Sequence, residues 1–277
     1  MVGCSASDVM SRGVVWVSPD ESLLEARDRL LRRRITRLVV LSGGRVVGII
    51  TRKDIVRYLV ERGDERSMDE IKVEDVMTRN PVAVPPTTPV DELARLMVER
   101  GFSSLIIVDG ESKPLGIVTK SDLCRFYAEH LRGRHRVYEY MTPDPITVRP
   151  GDHIFRVACL MVMNDVSRVV VAKNGKPVGI VSLSDLMAVG PVLKPLRGGR
   201  VDVREILVTP NLAQLLTASD VMTEDPITVS RGDDLADAAR LMITHGISGL
   251  PVVNEHGTLV GIVTKTDVTR AISETRL

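Results

Sequence analysis

Four short segments of this chain place a hydroxyl and a carboxylate three residues apart: Thr51-Arg52-Lys53-Asp54, Thr119-Lys120-Ser121-Asp122, Ser182-Leu183-Ser184-Asp185 and Thr264-Lys265-Thr266-Asp267. Each follows Gly-Ile-Ile or Gly-Ile-Val, which reads as the end of a strand, and opens a stretch that reads as a helix. At such a junction the hydroxyl can accept from the backbone NH three residues on. The acid can reach back to the capping residue and complement the helix dipole. Capping accounts well for the hydroxyl and less fully for the acid, because Glu or Gln is the usual reciprocal partner and Asp stands here every time. A helix N-terminus also favours a bound anion, so capping and ligation are compatible. An anion calls for cations, and the position just before the hairpin strand varies accordingly: Arg37, Ser104, Arg168 and Gly249. Cys4, Cys124, Cys159 and the five histidines form no metal-ligand spacing. No nucleophile–base pair and no Gly-rich phosphate loop stands out, so neither a metal nor an enzymatic activity is expected.

The elements that must hold these residues come in four copies. Each copy opens on a methionine in an acidic-apolar setting (Met10, Met77, Met141, Met222) and closes on its Asp 44 or 45 residues later, the extra residue falling in a Gly-rich turn. The fourth copy is the plainest. Pro226 to Val229 reads as a strand, and Leu235, Ala238, Ala239, Met242 and Ile243 recur at helical spacing up to Gly246. Asn254-Glu255-His256-Gly257 between two apolar runs reads as a hairpin turn, and Thr264 to Ile272 as a second helix. The fold class is therefore α/β of the α+β type, with β-α-β-β-α repeats at 7–62, 74–130, 138–190 and 219–277 and a linker at 191–218. Within the linker, 203–208 and 212–216 read as short ordered pieces. The methionines and Leu30 of the first helices are flanked by a second apolar row (Leu31, Val98, Val162, Ile243), wide enough for the first two repeats to pack on the last two.

A net charge of +1, a pI near 7.8 and 3% aromatic residues give no electrostatic or stacking basis for nucleic acid. Arg32-Arg33-Arg34 reads as a solvated basic helix end. No secretory signal and no uninterrupted apolar run of membrane-spanning length is seen, so a cytoplasmic location is expected and a membrane partner is not. Dense charge with a single glutamine, Gln214, suits a heat-adapted, thermophile source.

The recurring Asp-Val-Met-Thr-x-x-Pro-apolar-x-Val, then helix, hairpin and Gly-Ile-Val-Thr-x-x-Asp, resembles the cystathionine-β-synthase (CBS) domain over almost the whole chain. Four copies resemble the γ subunits of AMP-activated protein kinases, where pairs of repeats form Bateman modules and two modules form a disc. The resemblance implies that Asp54, Asp122, Asp185 and Asp267 hold ribose hydroxyls, with Thr51, Thr119, Ser182 and Thr264 touching sugar or phosphate. It implies a base pocket on the first strand of the same repeat: Val14-Val15, Pro81-Val82, Pro145-Ile146 and Pro226-Ile227. Repeat one departs from the pattern, with Val14 in place of proline and Trp16 following. It also implies that Arg37, helped by Lys53, serves the phosphate at Asp122, and that Arg168 serves Asp267, leaving Asp54 and Asp185 facing Ser103-Ser104 and Ser248-Gly249. The implied function is a non-catalytic sensor of AMP, ADP or ATP acting on an unidentified protein partner, with any homodimer a weaker addition. A protein-interaction scaffold with vestigial clefts, and a module for S-adenosylmethionine or NAD(H), stay open.

Overall fold

The computed structural model describes residues 3–61, 66–111, 113–189 and 216–275. The expected ordered pieces of the linker, 203–208 and 212–216, lie outside the described residues except for Leu216. Each repeat contains the anticipated hairpin: Arg37–Ser42 with Arg45–Thr51, Ser104–Val108 with Pro114–Thr119, Arg168–Lys173 with Lys176–Ser182, and Gly249–Val253 with Leu259–Thr264. The first helices run Leu23–Arg32, Val90–Glu99, Ile154–Met163 and Leu235–Thr244. The second helices run Arg52–Glu61, Lys120–His130, Leu183–Ala188 and Lys265–Glu274. Gly246 follows the fourth first helix at φ +65°, donating its NH to Ile243 O, a left-handed stop that glycine adopts without strain.

The first strand is shorter than the sequence suggests. In repeat four it is Val229–Ser230, not 226–229, and it lies parallel to Val252–Val253. Ahead of it come two elements that periodicity does not reveal. One helical turn carries the opening motif (Ala6–Val9, Val73–Val76, Val137–Tyr140, Ala218–Val221) and is followed by a two-residue strand. That strand crosses to the other repeat of the pair. Ser11–Arg12 lies antiparallel on Pro114–Thr119, and Thr78–Arg79 on Arg45–Thr51; Thr142–Pro143 lies on Leu259–Thr264, and Thr223–Glu224 on Lys176–Ser182. Repeats one and two, and repeats three and four, thus exchange sheet edges to make two Bateman modules.

The exchange explains why each repeat begins on Met and nears its end on Gly. Met10 covers Gly116, Met77 covers Gly48, Met141 covers Gly261 and Met222 covers Gly179, always across the pair. A Cβ on Gly116 would stand 2.5 Å from Ser11 O, and one on Gly261 3.0 Å from Thr142 O.

The two modules meet through their helices. One apolar core joins repeats two and four, burying Met97, Leu123, Tyr127, Leu235, Met242 and Ile272; the other joins repeats one and three, burying Leu30, Ile55, Met161 and Leu186. Leu31, Val162 and Ile243 of the second row pack partly against these cores, whereas Val98 remains 36% exposed. Cys124, buried at this seam, has its thiol pushed up to about 12 by desolvation. Arg32, Arg33 and Arg34 are exposed. No helix among the described residues is long and apolar enough to cross a membrane.

Candidate functional site

All four Thr/Ser-x-x-Asp segments stand at strand-to-helix junctions, and in all four the acid completes the cap. Asp54 Oδ2 accepts from Thr51 N at 2.8 Å and Thr51 Oγ1 at 2.7 Å. The same pair of bonds holds Asp122 to Thr119 (2.8 and 2.7 Å), Asp185 to Ser182 (2.7 and 2.7 Å) and Asp267 to Thr264 (2.8 and 2.8 Å). The reservation that capping leaves the acid underexplained is therefore corrected: aspartate reaches back as well as glutamate would. The opening turns use the same device at Asp8 and Asp220, in the open.

What separates the helix-opening acids from those two is burial and a second oxygen. Asp122 is 5% and Asp267 6% exposed. Asp122 Oδ1 meets Ser11 Oγ at 3.4 Å and Arg125 Nη1 at 3.5 Å, and Asp267 Oδ1 meets Arg270 Nη2 at 3.4 Å. These contacts are long, so Oδ1 keeps capacity for short hydrogen bonds from a ligand. Burial raises the carboxyls of Asp54 and Asp267 above the ordinary range, offset in part by the bonds from Thr51 and Thr264.

Arg37 and Arg168 are half-buried rather than fully exposed. Arg37 Nη1 donates to Ser103 O of repeat two. Burial pulls its guanidinium down to about 10, opposed first by the charge of Asp122. Arg168 occupies the space that a side chain at position 249 would fill, with Nη1 2.6 Å from an ideal Cβ there. Its Nη2 donates to Ser167 Oγ at 2.9 Å, whereas Nη1 is buried with no partner. It too is pulled to about 10 by burial, with Asp267 opposing. Neither arginine forms an ion pair among the described residues. Lys53 turns elsewhere, pairing with Asp165 of repeat three, which also holds Arg57 at 2.8 Å.

The segments expected to form base pockets lie beside the acid of the opposite repeat, not beside that of their own. Ser11 lies opposite Ile117 and touches Asp122, while Val15 O accepts from Val39 N at 3.0 Å, two residues past Arg37. Val14-Val15 therefore runs between Asp122 and Arg37. Likewise Thr142 lies opposite Ile262 and Ile146 O accepts from Val170 N, so Pro145-Ile146 runs between Asp267 and Arg168. By the same exchange Pro81-Val82 leads from the hairpin of Asp54, and Pro226-Ile227 from that of Asp185. The crossing strand brings each first strand to the acid of its partner repeat, where placement beside the acid of the same repeat was expected. Two of these residues are open to solvent: Val15 is 38% and Val82 36% exposed.

The position after the hydroxyl, which sequence reasoning passed over, is basic in three repeats. Lys120 Nζ donates to Thr266 Oγ1 at 3.0 Å, Lys265 Nζ to Ser121 Oγ at 3.0 Å, and Arg52 Nη1 to Ser184 Oγ. All three cross from one module to the other. Their signal in the sequence was the recurrence of Arg52, Lys120 and Lys265 against Leu183.

The CBS-domain family model matches residues 6–61, 73–129, 137–191 and 218–274. The chain is a four-repeat member of the CBS-domain family. Protein MJ1225 of Methanocaldococcus jannaschii is 28% identical over 93% of this CBS protein and 95% of its own length. The crystal structure of MJ1225, described as that of a candidate archaeal homologue of γ-AMPK, superposes with a TM-score of 0.82 at 25% identity, covering 96% of this chain and 99% of that one. MJ1404 of the same organism is 28% identical over 99% of this CBS chain, which spans only 63% of it. The inosine-5′-monophosphate dehydrogenase of Korarchaeum cryptofilum is 33% identical over 45% of this chain, and the match spans 24% of the enzyme. A CBS-domain chain of this kind is a regulatory module.

Proposed function

We propose that this protein is a non-catalytic sensor that binds adenosine nucleotides, with the clefts of Asp122 and Asp267 dominant. The observation that carries the reading is the pairing of a half-buried, ion-pair-free arginine from one repeat with a buried capping acid from the other: Arg37 with Asp122, Arg168 with Asp267. In each cleft the free carboxylate oxygen would accept the ribose hydroxyls, Val14-Val15 or Pro145-Ile146 would flank the base, and the arginine would meet the phosphate. Burying a cation without a counter-charge is costly, and an arriving phosphate supplies that charge. Asp54 and Asp185 face serine or glycine at the arginine position, so their clefts bind more weakly. The likeness to MJ1225 supports the same reading. Occupancy would reach a cytoplasmic protein partner by shifting the packing of the modules, which requires the two packings to differ in nucleotide affinity.

Calorimetry with AMP, ADP, ATP, S-adenosylmethionine, NADH and adenosine tests this. AMP, ADP or ATP should bind, Asp122→Ala and Asp267→Ala should each remove a tight site, and Arg168→Ala should weaken nucleotide about tenfold while sparing adenosine. Binding by none of the panel sinks the reading in favour of a scaffold. Preference for S-adenosylmethionine, insensitive to Arg168→Ala, transfers the clefts to that ligand.

A further inference from the structure

Lys265 is 8% exposed, yet its ammonium has one hydrogen-bond partner, the Ser121 hydroxyl, and no carboxylate within ion-pair distance among the described residues. Lys120, half-buried, is in the same position, bonded to Thr266 Oγ1. Buried lysines are ordinarily paired. Ser121 lies in the first turn of the helix that carries Asp122, and Thr266 in the first turn of the helix that carries Asp267. Each lysine therefore places its charge at the head of the other module's acid-bearing helix.

We propose that Lys265 is a phosphate-binding residue of the Asp122 cleft and Lys120 of the Asp267 cleft, so that a phosphorylated ligand in either cleft is held by both modules at once. The proposal rests on the reading of these clefts as adenosine-nucleotide sites and adds a residue from across the disc to each. Three features support it beyond the hydrogen bonds. First, the electrostatics are crossed in the same sense: Asp122 is among the charges that favour protonated Lys265, and Asp267 favours protonated Lys120. Second, desolvation draws both ammonium groups below the ordinary lysine range, Lys120 to about 8, which is the state of a cation whose counter-charge has yet to arrive. Third, Arg168 Nη1 is buried without a partner in the Asp267 cleft, so one anion would satisfy a cation from repeat three and another from repeat two. The charged groups facing Lys120 are Arg37 and Lys53 from repeat one, Arg168 from repeat three and Asp267 from repeat four; three of the four are cations. An anion there relieves their mutual repulsion as well. The consequence is that ligand occupancy acts directly on module docking, through a lysine that must stay within reach of the other module's cleft.

The test uses the full chain with one dominant cleft disabled. In an Asp122→Ala background, calorimetry reads the Asp267 cleft; adding Lys120→Met should weaken AMP about tenfold and leave adenosine within about twofold, while Lys120→Arg restores AMP. The mirror pair, Lys265→Met in Asp267→Ala, should behave alike. A second readout follows from the lysine's proton: at pH 8.5, AMP binding to the Asp122→Ala chain should take up protons, seen as a dependence of the binding enthalpy on buffer ionisation. That uptake should vanish with Lys120→Met and be absent for adenosine. Full-strength AMP binding by the methionine variants, or equal loss of AMP and adenosine, overturns the proposal and leaves the nucleotide reading intact. No AMP binding by the unmodified chain overturns both.

Discussion

At the scale of the residue, the same acid serves as cap and as candidate ligand, and the two roles are divided between its oxygens. Oδ2 is committed to the Thr or Ser of its own helix; Oδ1 of Asp122 and Asp267 has only long contacts. The capping role was visible in the sequence, and the burial that distinguishes Asp122 from Asp8 was not, because it depends on a strand from another repeat. Lys120 offers a check at this scale that requires no ligand. Its pKa falls from the ordinary 10.5 to about 8, by burial first and then by Arg37. Below pH 8 the folded and unfolded chains both carry the charge, and the cost of burying it is fully present. Between about 8 and 10.5 the folded chain has released the proton while the unfolded lysine keeps it, so the unfolded state binds more protons and stability rises with pH. Above pH 9 Cys124 opposes the trend, because its buried thiol stays protonated to about 12 while the unfolded thiol ionises. The urea midpoint of the ligand-free chain should therefore climb more steeply from pH 8 to 9 than that of Lys120→Met. Identical slopes would mean that Lys120 is solvated.

At the scale of the element, hairpins and long helices were legible because each presents several residues at its own period. Leu235, Ala238, Ala239 and Met242 are all fully buried, as their spacing requires. The crossing strands were not legible: two residues show no alternation, and their partners lie about a hundred positions away in Ser11 and Ile117. Missing them set the expected base-pocket segments beside the acid of the wrong repeat. Gly116 carries the crossing in repeat two, since its missing side chain lets Ser11 approach. Gly116→Ala would press a methyl to 2.5 Å from Ser11 O, a backbone atom held by strand pairing, and should cost about 1–3 kcal/mol, in the range of an overpacked core. Because Ser11 also borders Asp122, AMP affinity at that cleft should fall with it. Gly151, whose Cβ would meet nothing within 4 Å, is the control: Gly151→Ala should be near neutral. Equal urea midpoints for the two variants would contradict the account of the Met–Gly contact.

At the scale of the whole molecule, the decisive fact is that neither module owns a complete helical core. One core takes most of its residues from repeats two and four, the other from repeats one and three, and the opening helical turns of the remaining repeats add to each. The second apolar row pointed to this packing, although Val98 stays at the surface and the seam relies on polar contacts as well. Arg27 Nε donates to Met187 O at 2.9 Å, Arg240 Nη2 to Ala128 O at 3.3 Å, and Cys124 Sγ to Ala239 O at 3.6 Å, each across the modules. The natural place to divide the chain is just after Leu131, because Gly133 donates to Asp234 and His135 O accepts from Leu235, both in repeat four. Separated halves, 1–131 and 132–277, would each expose an apolar helical face of the kind that drives association. Each should therefore self-associate or dissolve poorly alone, and mixing should give a one-to-one complex by light scattering. AMP should favour that complex, because the lysines that cross the seam connect ligand to docking: the dissociation constant between the halves should tighten with AMP, tighten less with adenosine, and lose the difference when Lys120 and Lys265 are both methionine. Halves that remain monomeric and ignore each other would refute the shared cores, whereas halves that associate with no response to AMP would refute only the link between occupancy and docking.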